Sequence, residues 1–114
     1  MHEAGIIRAM LKTIEGIMER NHLTMLKKIV LQVGELSGVV PGYMESCFPA
    51  VVRRTRFRDA KLELEVIPGI LRCRRCNLEF PGLQHNLICP TCGNRHDFQQ
   101  LSGDGLIIKE IQGY

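Results

Sequence analysis

The chain has 114 residues, 45% of them hydrophobic, and a formal net charge of +3. That is enough for one ordinary domain, or for a small domain carrying an inserted module, with apolar content to build a core. So mild a charge neither requires nor rules out an anionic partner, no signal peptide is visible at the start, and no apolar run approaches the roughly 20 residues of a membrane span.

From Glu3 to Arg20, the residues Ile6, Ile7, Met10, Leu11, Ile14, Ile17 and Met18 recur at helical spacing, with Arg8, Lys12, Glu15, Glu19 and Arg20 largely opposite. This predicts an amphipathic helix ending near Asn21. A strand follows over 28–36, where Ile29, Leu31 and Val33 alternate. The run Gly34-Glu35-Leu36-Ser37-Gly38 interrupts it. Pro41 suits a helix start, and Tyr43, Met44, Cys47, Phe48, Val51 and Val52 form a second helical stripe. Pro49 lies inside that stripe and predicts a kink or break, because it lacks an N–H and crowds the carbonyl of Glu45.

The next strand covers 61–67, with Leu62, Leu64 and Val66 on one face and Lys61, Glu63 and Glu65 on the other. Pro68-Gly69 ends it. A cysteine-bearing module occupies roughly 70–101. After the Gly103-Asp104-Gly105 turn, a final strand runs over 106–111. The expected class is α/β (α+β): a small sheet with two helices, plus a ribbon inserted between two strands that pair with each other. The glycines in both connections predict hinge freedom.

Four of the five cysteines form two Cys-x-x-Cys pairs, Cys73/Cys76 and Cys89/Cys92, with 12 residues between them. Each turn points two sulfurs inward, and two turns close the tetrahedron that Zn²⁺ favours. A four-thiolate shell is closed, so it folds chain rather than reacting. Cysteines so spaced, without an export signal, indicate a reducing cytoplasm rather than a disulfide-stapled secreted domain. A redox dithiol needs only one such pair. Iron–sulfur ligation remains open, because soft thiolates suit both. Arg72, Arg74, Arg75 and Arg95 surround the ligands in sequence and are expected to offset their charge and donate to sulfur. Gly93 permits the positive φ that a tight metal turn needs. His85 and His96 lie near the pairs, either as exposed loop histidines or as alternative ligands. Cys47 is expected to be a buried core thiol.

The start of the chain, Met1-His2-Glu3, offers a second and different donor set. A residue as large as His2 leaves Met1 in place. The Met1 amine, the His2 amide nitrogen and the His2 imidazole can close two adjacent chelate rings on one ion. Ni²⁺ and Cu²⁺ acidify a peptide amide in square-planar geometry, whereas Zn²⁺ does so poorly. Glu3 can add its amide or carboxylate. Taken alone, these residues read as an ordinary frayed terminus before they read as a metal site.

Together these stretches resemble the HypA/HybF family of hydrogenase-maturation nickel metallochaperones. The resemblance rests on Met1-His2-Glu3, on Gly34-Glu35-Leu36-Ser37-Gly38, on both Cys-x-x-Cys pairs and on Leu106-Ile107-Ile108-Lys109-Glu110-Ile111, in the family's order over essentially the full length. It implies a non-enzymatic protein binding Ni²⁺, as transferable cargo, at positions matched by Met1, His2 and Glu3. It implies structural Zn²⁺ at Cys73, Cys76, Cys89 and Cys92. It further implies a HypB-type GTPase partner and delivery to the large subunit of [NiFe]-hydrogenase, with urease as an acceptor for some members. The implied fold is a nickel domain with a three-stranded sheet and two helices, here 1–68 with 104–114, and a zinc domain, here 69–103. One position departs from the pattern: where several relatives carry an acidic residue after the Gly-Glu-Leu-Ser-Gly run, this chain has Val40, which cannot ligate.

Two other readings compete. A zinc-ribbon adaptor for nucleic acid or protein would draw on Arg53, Arg54, Arg56 and Arg58, but the module offers only Phe80 and Phe98 for stacking. A zinc hydrolase needs an open coordination position, which four cysteines do not leave.

Overall fold

The structure is a computed structural model and describes residues 3–114. Helix α1 spans Glu3–Arg20 and buries Ile7, Met10, Leu11, Ile14 and Met18, the centre of the expected stripe. It ends in a left-handed residue, His22 (φ 58°). Leu23 N–H donates to the Met18 carbonyl (2.9 Å) and His22 N–H to that of Glu19 (3.3 Å). This is a Schellman closure, with histidine where glycine is usual.

Strand β1 covers Leu26–Gly34, helix α2 Pro41–Val52 and strand β2 Lys61–Ile67. β1 begins and ends two residues earlier than its pattern predicts, because Glu35 and Leu36 turn away to bond other segments. α2 runs unbroken through Pro49, only three residues before its own end, where the lost bond to Glu45 costs little of the helix.

The ribbon contributes β3 (Ile70–Cys73), β4 (Glu79–Pro81) and β5 (Phe98–Gln100), and the chain closes with β6 (Leu106–Gly113). Two three-stranded sheets result, β2-β1-β6 and β4-β3-β5. β2 and β6 flank β1 instead of pairing with each other, which corrects the expected arrangement. β1 pairs β2 in parallel across the α2 crossover and β6 antiparallel. β1 is the most apolar strand, and Ile29, Val30, Leu31 and Val33 are all buried, so it takes the centre.

Both helices pack on one face of the first sheet, against Ile29, Leu31, Val33, Leu62, Leu64, Leu106, Ile108 and Ile111. Ile108 and Ile111 are three apart, so a regular strand would place them on opposite faces. A bulge solves this: Val30 pairs Glu110 while Leu31 pairs Ile108, leaving Lys109 as the extra residue. The bulged Lys109 donates to both carboxylate oxygens of Glu65, at 3.2 and 2.9 Å. It shares the open face with Lys28–Glu63 (3.2 Å) and with Gln32, which also reaches Glu65 (3.4 Å).

The second sheet has its own small core of Leu71, Phe80, Cys73 and Cys89, with Leu36, Leu78 and Phe98 packed against it. The whole molecule is elongated, 53 × 26 × 17 Å.

Candidate metal centre

Cys73 ends β3, and Cys89 follows the short 3₁₀ turn Leu83–His85. The two cysteine turns have the same backbone construction. Cys73 N–H donates to the Leu78 carbonyl (2.8 Å) and Cys89 N–H to that of Asn94 (2.9 Å). Asn77 N–H returns to the Cys73 carbonyl (2.8 Å) and Gly93 N–H to that of Cys89 (2.9 Å). The residue four beyond each leading cysteine is left-handed: Asn77 at φ 63° and Gly93 at φ 76°. Glycine adopts this region freely and asparagine tolerates it. The positive φ expected at Gly93 is present. Its equivalent at Asn77 escaped the sequence reading, although the repeated spacing of the cysteines marks it.

These turns bring the sulfurs of Cys73, Cys76, Cys89 and Cys92 within 4.8 Å of one another. Contacts of 3.5 Å run between the pairs, from Cys73 to Cys92 and from Cys76 to Cys89. A tetrahedral ion with bonds of about 2.3 Å to sulfur sets sulfurs about 3.8 Å apart, so the cluster fits such a cation with little adjustment. The leading cysteine of each pair is buried and the trailing one exposed.

The four thiols are not equivalent. Burial opposes ionisation of Cys73, but the Asn94 side-chain amide and the backbone N–H groups of Cys76 and Arg75 outweigh it, lowering the thiol to about 6. At Cys76 the backbone of Leu78 favours the thiolate, yet burial and the neighbouring sulfurs prevail and push it up to about 12. Cys89 is lowered: burial opposes ionisation there too, but the backbone N–H groups of Cys92 and Thr91 override it. Cys92 is raised, because the Cys73 sulfur and burial override the favourable backbone of Asn94. Two sulfurs are thus shifted toward the thiolate and two toward the thiol, each facing one of the other kind across the cluster. Closely set thiolates repel one another, and a cation at the centre is what allows all four to ionise.

Among the described residues, the side chain that donates to a cysteine sulfur is not an arginine's. Arg72 bonds Glu79 (3.0 Å) and Arg74 bonds Asp97 (3.4 Å). Instead Asn94, only 2% exposed, donates its side-chain amide to Cys73 Sγ (3.3 Å) and to the Asp97 carbonyl (2.7 Å). Its carbonyl oxygen accepts from the N–H groups of His96 and Asp97. The sequence reading missed this residue, since an asparagine in a loop carries no signal of its own. His85 stands edge-on to Phe80 with ring centroids 5.9 Å apart, and neither His85 nor His96 joins the donor cluster among the described residues.

Of the N-terminal triplet, Met1 and His2 lie outside the described residues. Glu3 opens α1 and is buried, where a carboxylate complements the positive end of the helix dipole. Ile6 and Met10 share a groove with Leu31 and Leu106, whereas Ile17 and Asn21 share one with Ile111 and Gly113. The start of α1 therefore lies at the end of the sheet where the ribbon is attached. Val40 is the N-cap of α2 and makes no side-chain capping bond.

A family described as "Hydrogenase/urease nickel incorporation, metallochaperone, hypA" matches residues 1–113. The "Hydrogenase maturation factor HypA" of Dehalococcoides mccartyi is 35% identical over 112 residues, 98% of this chain and 93% of the relative. That of Dechloromonas aromatica is 33% identical, covering 98% of each. Among solved structures, the Ni metallochaperone HypA from Helicobacter pylori superposes with a TM-score of 0.70 over 99% of this chain and 97% of its own, at 19% identity. The chain belongs to the HypA family of nickel-incorporation metallochaperones, and its fold is theirs.

Proposed function

We propose that this chain binds Ni²⁺ as transferable cargo through Met1, His2 and Glu3 and helps deliver it to the large subunit of [NiFe]-hydrogenase. The reading is carried by one observation: the family match runs from residue 1, so it includes the Met1-His2-Glu3 donor set. The chain performs no reaction of its own. A HypB-type GTPase is its partner, urease a further acceptor, and the cytoplasm its compartment. The division into a nickel domain (1–68 with 104–114) and a zinc domain (69–103) follows the two sheets and two cores.

Zn²⁺ at Cys73, Cys76, Cys89 and Cys92 would supply the bonds that hold the ribbon together, since four soft donors in a closed shell suit a structural ion. Around it, Asn94 orients Cys73 and the two left-handed turns aim the sulfurs inward. The adaptor reading loses its two stacking candidates. Phe80 and Phe98 pack edge to face on each other (centroids 5.6 Å) in the ribbon core. Arg56 covers the Phe57 ring (5.1 Å).

The test is Ni²⁺ titration of tag-free protein, followed by d–d absorption. One equivalent with a square-planar, nitrogen-rich band is expected. His2→Ala, or one residue added before Met1, abolishes it while zinc stays bound. Unchanged nickel affinity in both variants places the site elsewhere.

A further inference from the structure

The glycine-rich run after β1 makes a set of contacts that metal binding does not use. Gly34 N–H donates to the Gly105 carbonyl (2.9 Å), Leu36 N–H to that of Gly103 (2.7 Å) and Glu35 N–H to that of Ile67 (2.9 Å). One loop thus bonds the end of β2 and the connection that leads into β6. The Glu35 side chain adds a fourth bond, with Oε1 accepting from Gly69 N–H at 2.8 Å. Ser102 ties the connections to each other, donating to the Pro68 carbonyl (2.9 Å) and accepting from Ile70 N–H (3.3 Å).

Packing follows the same plan. The Leu36 side chain lies against Gly69 and joins the ribbon core. A Cβ on Gly34 would collide with the Gly103 carbonyl, and one on Gly103 would sit 2.6 Å from Gly69 Cα. The three glycines are therefore a close-packed contact between backbones, and not the free hinges that their composition predicts.

We propose that Glu35 is a positioning residue that locks the thiolate module in one orientation on the α/β unit, with Gly34–Gly38 as the body of the latch. Gly69 is buried between β2 and β3, and its N–H needs an acceptor. A carboxylate gives a charge-assisted bond, stronger than a neutral one. A single side chain of the first unit thus holds the buried backbone donor of the connection. Because α1 begins at this end of the sheet, the latch also fixes where the ribbon stands relative to the first turn of α1. The proposal is independent of which metal the chain carries.

The test uses ¹⁵N-labelled, zinc-loaded full chain. Residual dipolar couplings of the wild type are expected to fit one alignment tensor across both sheets, with Gly69 N–H protected from exchange. Glu35→Ala should leave both cores and the zinc intact. It should split the couplings into two tensors and speed Gly69 exchange about tenfold or more. Glu35→Gln keeps the acceptor oxygen and should restore a single tensor. A single tensor with unchanged Gly69 protection in Glu35→Ala overturns the proposal. If Glu35→Ala does not fold, the wild type decides: two tensors, or Gly69 exchanging like an open loop amide, overturns it.

Discussion

The Asn94 side-chain amide points at Cys73 Sγ across 3.3 Å while its own carbonyl oxygen gathers the backbone of His96 and Asp97. One buried residue therefore both shapes the second cysteine turn and stabilises the thiolate of the first. Removing it should act on both. Asn94→Ala is expected to weaken zinc binding by about 10- to 100-fold and to raise the Cys73 thiol. Competition against a chromophoric chelator and thiolate absorbance of the metal-free chain measure the two effects. Unchanged values in both would show that the amide contact is idle.

Proton release follows from the unequal thiols. At neutral pH Cys73, at about 6, is ionised, whereas Cys76, at about 12, is protonated. Cys89 is lowered like the first and Cys92 raised like the second. Every ligand must be a thiolate in the loaded site, so each ion taken up near pH 7.5 should expel at least the two protons of Cys76 and Cys92. Affinity then rises with pH in this range, and below about 6 it falls more steeply as Cys73 also competes with protons. Calorimetry in buffers of different ionisation enthalpy counts the protons. No release would mean that Cys76 and Cys92 do not ligate.

The glycines separate into two classes that stability should distinguish. Gly103 has φ +81° and no room for a Cβ, so Gly103→Ala should cost about 2 kcal/mol or more. Gly5, in the first turns of α1, has nothing within 4 Å of an added Cβ. Gly5→Ala should stabilise by about 0.5–1 kcal/mol, through helix propensity and the unfolded chain. Thermal melts of zinc-loaded protein should move in opposite directions.

The Lys109 ammonium beside Glu65, with help from Gln32, holds that carboxyl below its ordinary range, and the same pair raises Lys109. The contribution of Glu65 is thus present above the usual carboxyl pKa and fades as pH falls through its lowered folded value. That of Lys109 is present below the usual lysine pKa and fades as pH rises through its raised one. Lys109→Met should move the Glu65 titration midpoint upward in a carboxyl-detected NMR titration. Both groups are accessible, so added salt should shrink the difference.

Local pattern made most elements legible. The stripe from Ile6 to Met18 placed the end of α1 within a residue and the alternation from Leu62 to Val66 located β2 to the residue, because periodicity is a local property. The order β2-β1-β6 was not legible, since pairing between strands distant in sequence depends on which is most apolar on both faces. The Lys109 bulge was equally hidden: it shows only when Ile108 and Ile111 must share a core. Spacing assembled the four cysteines correctly. It misassigned their supporting donor, because four arginines advertise charge while Asn94 advertises nothing. It also read Gly69 and Gly103 as flexibility, where close approach of backbones is what requires them.

The central place of β1 sets an order of assembly. Its second neighbour, β6, leaves the ribosome only after the whole ribbon has been made, so the larger sheet stays one strand short throughout that interval. The ribbon pairs strands close in sequence and closes loops at low entropic cost. The sulfur cluster can therefore be complete, and able to capture its ion, before the unit that carries it has finished folding.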